Sequence, residues 1–280
     1  LDWWLNLGFL PFEQLVPLAQ AAERAGLTGV SLPDHLVFPE QRDSAYPYSA
    51  DGSVTWPGEA PWPDPWVAIA AMAQATTHLQ LGTGVQILPL REPLALAKAI
   101  STAWHLCGER VWCGFGAGWL KEEFDAAGID FKQRGPRMNE MLKILPRLWS
   151  GEPTEFRGAH FEFDALRMSP AAPGIPILIG GNTRAAMWRA LRHDGWIGAY
   201  TTLEEARTML AGLRALREEG GRVDRDFRVW LTGARPDAAA TEELSSLGVD
   251  AFVAPAVALC RSSRLEDREA AIEAFVADTR

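Results

Sequence analysis

The feature that most narrows the fold is an alternation. Eight short apolar runs occur along the chain: Trp3–Leu10, Thr28–Pro33, Leu79–Leu90, Arg110–Gly114, Ile175–Ile179, Trp196–Tyr200, Phe227–Thr232 and Ala251–Ala254. Helix-patterned stretches stand between and after them: Phe12–Ala25, Pro65–Thr77, Pro93–His105, Lys121–Gly128 with Arg137–Trp149, Arg184–Arg192, Leu203–Glu219, Ala238–Leu247 and Leu265–Asp278. The apolar runs are continuous rather than alternating, the pattern of strands buried on both faces of a parallel sheet. Eight such units favour a sheet closed on itself, a (β/α)₈ barrel of the α/β class. A chain of 280 residues fits one such barrel, so residues 1–280 are read as a single domain.

Two stretches break the rhythm. Residues 36–64, after the second strand, carry Pro39, Pro47, Pro57, Pro61 and Pro63 among Tyr46, Tyr48, Trp56 and Trp62. A loop of that length in a compact domain is usually functional, and its rings and prolines suit a semi-rigid cover over an apolar ligand. Rings packed on the barrel edge are the plainer alternative. Residues 150–174, before the fifth strand, hold a hairpin-like EFRGAHFEFD around Arg157-Gly158. Within the helices Pro17 is awkward, and fits best where a helix begins; Gly26 has the place of a helix-ending left-handed residue.

Barrels of this kind hold ligands at the C-terminal ends of their strands, and four strand ends stand out. LQLGTGVQILPLREP, residues 79–93, puts Gly82 and Gly84 inside a buried strand. Glycine weakens a strand, so a bulge or the close approach of a ligand or another backbone is expected there. Asp34-His35 places a carboxylate and an imidazole at the end of the second strand. The pair suits proton transfer or hydrogen bonding to an anionic ring, and equally a capping Asp beside a surface His. Gly114, Gly116 and Gly118 before Trp119 read as close backbone approach with an indole wall, or as a turn. Gly180-Gly181-Asn182-Thr183 joins a strand to a helix whose free N–H groups favour an anion, with Arg184 adding charge; a capped tight turn is the bland reading.

Several chemistries find no support. The net charge of −9, without a Lys/Arg-rich run, argues against nucleic acid or an anionic membrane as partner. Cys107, Cys113 and Cys260 form no Cys-x-x-Cys pair and read as buried thiols of a reducing compartment. His35, His78, His105, His160 and His193 lack metal-site spacing, so no metal is expected. Lys98, Lys121, Lys132 and Lys143 avoid the strand ends, against a Schiff-base enzyme. GVSLP misses the last glycine of a nucleophile elbow, no P-loop is present, and GFGAGW has the wrong spacing for a dinucleotide fingerprint. LDWWLNLGFL lacks the basic start and cleavage site of a signal peptide, and no apolar run is long enough to span a bilayer, so a cytoplasmic location is expected.

Taken together, VSLPDHL, LGTGVQILPLREP, RVWCGFGAGWLKEEF, IPILIGGNTRAAM and LGVDAFVAP resemble the bacterial luciferase-like superfamily of flavin- and deazaflavin-dependent oxidoreductases. The short length and the GAGW…GG-N combination are most similar to its coenzyme F-420-dependent branch. The resemblance implies a luciferase-like TIM barrel with the cofactor ring in the mouth, over a bulge with a cis Gly84-Val85 peptide. It implies a cofactor phosphate at Gly180, Gly181 and Asn182, with Gly116, Gly118 and Trp119 contributing to the same site. His35, oriented by Asp34, would handle a proton near ring and substrate. Sugar-phosphate dehydrogenases of this branch carry a catalytic Glu where this chain has Trp119, which points to a small, more apolar substrate. The expectation is therefore an F-420-dependent oxidoreductase that transfers a hydride, with a homodimer implied by the family. An FMN-dependent monooxygenase needing a flavin reductase partner is the first alternative. A non-catalytic flavin-binding protein is the second, and an unrelated barrel enzyme with a phosphorylated substrate at Gly180-Gly181 the third.

Overall fold

The structure, a computed structural model, describes residues 1–49, 51–54, 56–223 and 226–278. Its elements follow the chain as β1 (Asp2–Asn6), α1 (Phe12–Ala25), β2 (Gly29–Leu32), α2 (Pro65–Gln74), β3 (Gln80–Thr83), β4 (Gln86–Ile87) and α3 (Pro93–Leu106). Then come β5 (Val111–Gly116), α4 (Lys121–Ala126), α5 (Arg134–Trp149), β6 (Thr154–Arg157), β7 (Glu162–Leu166), β8 (Ile177–Gly180) and α6 (Arg184–Ala190). The last are β9 (Gly195–Ala199), α7 (Leu203–Glu219), β10 (Arg228–Thr232), α8 (Ala238–Ser246), β11 (Ala251–Pro255), α9 (Ala256–Leu259) and α10 (Leu265–Ala277).

The strands pair in parallel in the order β3-β2-β1-β11-β10-β9-β8-β5, and a further β3–β5 pairing closes the ring. β3 and β4 are two halves of one stave: both pair with β5, Leu81 opposite Val111 and Gln86 opposite Phe115. Counted this way the barrel has eight staves, the (β/α)₈ architecture expected from the alternation. The break in the third stave falls at Gly84-Val85, and that peptide is cis as the family resemblance implied. The sequence reads Leu79–Leu90 as one strand; the structure instead gives two short strands and a turn of 3₁₀ helix at Leu88–Leu90.

The lower barrel interior is filled by indoles. Trp4, Trp112 and Trp230 pack against one another with ring centroids 4.6–5.5 Å apart. Such rings fit only where facing strands lack a Cβ. A Cβ at Gly82 would stand 2.3 Å from the Trp112 indole, and one at Gly29 would stand 2.1 Å from the Trp4 ring. Gly82 is thus explained by a neighbouring side chain, where the sequence suggested a ligand or a bulge. Thr83 ties the staves beside it, its hydroxyl donating to Gly114 O at 2.8 Å and accepting from Gly114 N at 3.0 Å.

Helices cover the outside of the barrel. α1 runs unbroken through Pro17, contrary to the expectation of a start near it. The proline removes one bond to the turn before it, a cost of about 3 kcal/mol in a helix interior. Burial of Leu15, Leu18, Ala19, Ala21 and Ala22 on the barrel outweighs that cost. Gly26 closes the helix in the left-handed region at φ 87°, as read from the sequence. Residues 150–174 do form the antiparallel β6–β7 hairpin. Its tip is fastened by Glu140 of α5, whose carboxylate accepts from the amides of Ala159, His160 and Phe161. Among the described residues no helix is long and apolar enough to cross a membrane.

Candidate active site

The barrel mouth is built from the ends of β2, β4 and β5. Asp34 and His35 follow β2, and both are buried. They do not pair with each other. Asp34 Oδ1 accepts from Arg91 Nη2 at 2.5 Å, and Oδ2 accepts from the Ile87 amide at 3.1 Å. Arg91 also stands 3.6 Å from Asp64 at the start of α2. Burial pushes the Asp34 carboxyl up, while Arg91 and the Ile87 amide pull it the other way. The residue therefore ties β2 to the segment after β4, and the expectation that it orients His35 is corrected.

The partner of His35 is Glu123, which the sequence reading missed. Its Oε2 lies 2.8 Å from His35 Nδ1, and the two side chains are 0% and 5% exposed, a fully enclosed pair. Glu123 Oε1 accepts from Leu36 N at 2.5 Å and from Val37 N at 3.3 Å. Glu123 belongs to the first turn of α4, which directly follows the glycine-rich end of β5. Acids in a first turn are common because they complement the helix dipole, so the spelling LKEEF carries no special mark. The available signal is place: this helix starts at a barrel strand's C-terminal end.

α4 also anchors the long segment 36–64, of which residues 50 and 55 lie outside the described residues. Glu122 Oε1 accepts from Asp43 N at 2.8 Å and Ser44 N at 3.1 Å, and Ser44 Oγ accepts from Lys121 N at 3.1 Å. Burial works upward on Glu122, but the Asp43 amide and the Ser44 hydroxyl and amide bring its carboxyl down to about 2. The anchored segment folds its rings over His35. The imidazole centroid lies 4.6 Å from Trp62, 5.5 Å from Phe38 and 5.8 Å from Trp119, and Trp56 stands 6.3 Å away. Tyr46 bridges Trp56 and Trp119 at 4.9 and 5.2 Å. Phe9, just past β1, closes the ring of aromatics against Trp56 and Trp62. The indole N–H groups of Trp56 and Trp62 are buried and have no acceptor.

Beneath this cluster Val85 plugs the gap between staves. A Cβ at Gly116 would come within 2.8 Å of Val85 Cγ2, and one at Gly180 within 2.7 Å of Val85 Cγ1. A Cβ at Gly84 would meet Ser31 Oγ at 2.8 Å, and Asn6 Nδ2 donates to Gly84 O at 3.2 Å. Gly118 holds φ 82° and packs on Ile87 and Phe124. Of the glycines singled out in the sequence, Gly116 and Gly180 are brought together around Val85.

The turn after β8 is tightly committed. Gly181, at φ 123°, donates its amide to Ile197 O and accepts from Trp196 Nε1 at 2.8 Å. Asn182 bonds the Ala199 backbone at both ends of its amide, at 2.6 and 3.0 Å. Thr183, not Asn182, caps α6, and Arg184 pairs with both oxygens of Glu219. The side chains that suggested an anion grip here serve the fold, whereas Gly180 lies beside Val85 at the mouth.

Two surface cavities lie apart from the mouth. One of about 660 Å³ lies between the start of β1 and α8, and an apolar one of about 290 Å³ lies between α1 and α2. Among the described residues no group of His, Cys, Asp and Glu could hold a metal ion.

This architecture has counterparts. The crystal structure of monooxygenase RslO1 from Streptomyces bottropensis superposes with a TM-score of 0.77 over 99% of this chain and 98% of its own, at 17% identity. An uncharacterised protein of Mycobacterium tuberculosis is 36% identical over 212 residues, covering 75% of this chain and 74% of the relative. The F420-dependent hydroxymycolic acid dehydrogenase of the same organism is 30% identical over 222 residues, covering 75% of this chain and 55% of that protein. A family model described as luciferase-like monooxygenase matches residues 6–275, nearly the whole barrel. The chain belongs to the luciferase-like monooxygenase family of flavin- and F-420-linked oxidoreductases.

Proposed function

We propose that the protein is a coenzyme F-420-dependent oxidoreductase that moves a hydride between the deazaflavin and a small, apolar organic substrate. The observation that carries this reading is His35, buried at the barrel mouth, held at one nitrogen by Glu123 and ringed by Trp56, Trp62 and Trp119. The site's chemistry fits such a ring. Asp34 is matched by Arg91, so the mouth offers an imidazole and two unpartnered indole donors. Donors of this kind suit ring carbonyls and other neutral acceptors. Val85, Gly116, Gly118, Trp119 and Gly180 are the residues that would lie against the group, while Gly181 and the Asn182 side chain are engaged within the fold.

Bound there, the deazaflavin supplies the hydride chemistry, which belongs to the cofactor rather than the protein. The chain contributes the proton step and the enclosure. His35 Nε2 accepts the proton of a substrate hydroxyl as it becomes a carbonyl, or returns it in the opposite direction. The aromatic cluster excludes water and selects a substrate with an apolar body. The 30% identity to an F420-dependent dehydrogenase supports the choice of F-420. The family description favours a second reading, an FMN-dependent monooxygenase supplied by a reductase. A homodimer in the cytoplasm accompanies either reading as part of the proposal.

The test is a pair of fluorescence titrations with F-420 and FMN. Tighter binding of F-420 is expected; tighter binding of FMN supports the monooxygenase, and binding of neither ends both readings. His35→Ala should lower kcat by about 10²–10⁴-fold, the usual worth of a placed acid–base group, with cofactor affinity kept. Unchanged turnover in that variant would remove the proton role.

A further inference from the structure

Glu123 is fully buried, and both of its oxygens are engaged. A carboxylate can only accept hydrogen bonds. Oε1 is occupied by the Leu36 and Val37 amides, so Oε2, 2.8 Å from His35 Nδ1, is left for the imidazole. In the neutral imidazole this places the proton on Nδ1 and the lone pair on Nε2. We infer that Glu123 is the positioning residue of the site: it fixes the tautomer that makes His35 Nε2 a proton acceptor, and with its other oxygen it pins the start of segment 36–64. The inference rests on the proton-handling role given to His35 above, but the tautomer itself does not depend on which cofactor binds.

Three local facts favour this over a merely structural pair. Asp34, the adjacent acid, is spent on Arg91 and the Ile87 amide and cannot orient the ring. Among the described residues no other acid is bonded to His35, whose aromatic ring contacts are Phe38, Trp56, Trp62 and Trp119. The 36–64 segment has a separate clip in Glu122, so anchoring it does not by itself call for a second buried carboxylate. In substrate oxidation the balance would close with the oxidised deazaflavin as hydride acceptor: the carbinol would give up its hydride to that group and its hydroxyl proton to His35 Nε2, leaving a carbonyl.

The experiment is a long-range ¹H–¹⁵N spectrum of the full chain labelled at histidine, without ligand, at pH about 8.5, above the ordinary imidazole range. Loss of one resonance pair in His35→Gln assigns the ring. The expected result is a protonated Nδ1 and a lone pair on Nε2. Glu123→Gln keeps an oxygen for the Leu36 and Val37 amides but turns an NH₂ toward Nδ1, so the proton should move to Nε2. With F-420 and a substrate, that variant should lose about 100-fold or more in kcat, as wrong-tautomer variants of catalytic histidines do, with KM and the thermal midpoint little changed. Glu123→Asp, which keeps an acceptor, should recover part of kcat and the wild-type tautomer. A wild-type ring protonated at Nε2, or a tautomer unmoved in Glu123→Gln, overturns the inference even if the enzyme turns over with F-420. The expected tautomers in a protein that binds no deazaflavin would uphold it while the proposed function fails.

Discussion

The two ends of the barrel interior are packed on opposite principles. Low in the barrel, Trp4, Trp112 and Trp230 fill the space between staves with rings, and Leu178, Ile197, Ala251 and Val253 complete the cluster. At the mouth the segments that follow β2, β4 and β5 carry Asp34, His35, Arg91 and Glu123 toward a second group of rings. Burying a charge costs several kcal/mol unless it is paired, and each of these is paired. A fold that can fill one end with indoles has no stability reason to spend such pairs at the other. The difference agrees with the proposed placing of the chemistry at the mouth.

That contrast can be broken by substitution. The largest effect on stability is expected low in the barrel: Trp112→Ala removes a central ring and should cost about 3–5 kcal/mol, read from the urea midpoint. A loss under about 1 kcal/mol would mean that the indole layer is not the structural end. Arg91→Ala leaves Asp34 buried without its cation and should cost about 3 kcal/mol, with Arg91→Ala/Asp34→Asn recovering most of it. If the double variant is no better than the single, the pair is not the reason for the loss. The smallest effect belongs to Glu122. Its depressed carboxyl contributes above the ordinary carboxylate range, and that contribution is lost only as the pH falls toward about 2. Exchange protection of the Asp43 and Ser44 amides should therefore persist at pH 3.5 in the wild type and be weakened at all pH values in Glu122→Ala. Protection already gone at pH 4 in the wild type would show that the clip is not held this way.

Much of this was readable in the sequence, because the information is local. Phe12–Ala25 and Leu203–Glu219 carry their own periodicity and ends, and the structure gives the same bounds. The eight apolar runs predict the staves because burial on both faces writes continuous hydrophobicity into each. The site was legible as a set of strand ends and not as a set of partners. Asp34 finds Arg91 57 residues away and His35 finds Glu123 88 residues away, so neighbours in sequence gave the wrong pairing. The glycines show the same limit from the other side. Their small size announces a close approach, but only the fold says that Trp112 approaches Gly82 and that Val85 approaches Gly116 and Gly180.

Val85 acts as a gauge between staves. Its two methyls occupy the space that side chains at Gly116 and Gly180 would take, so three staves share one residue as their spacer. The close approach of these staves at the mouth is thus set by this single valine. Gly116→Ala or Gly180→Ala would have to displace it, whereas Val85→Ala would deepen the mouth without touching either neighbour.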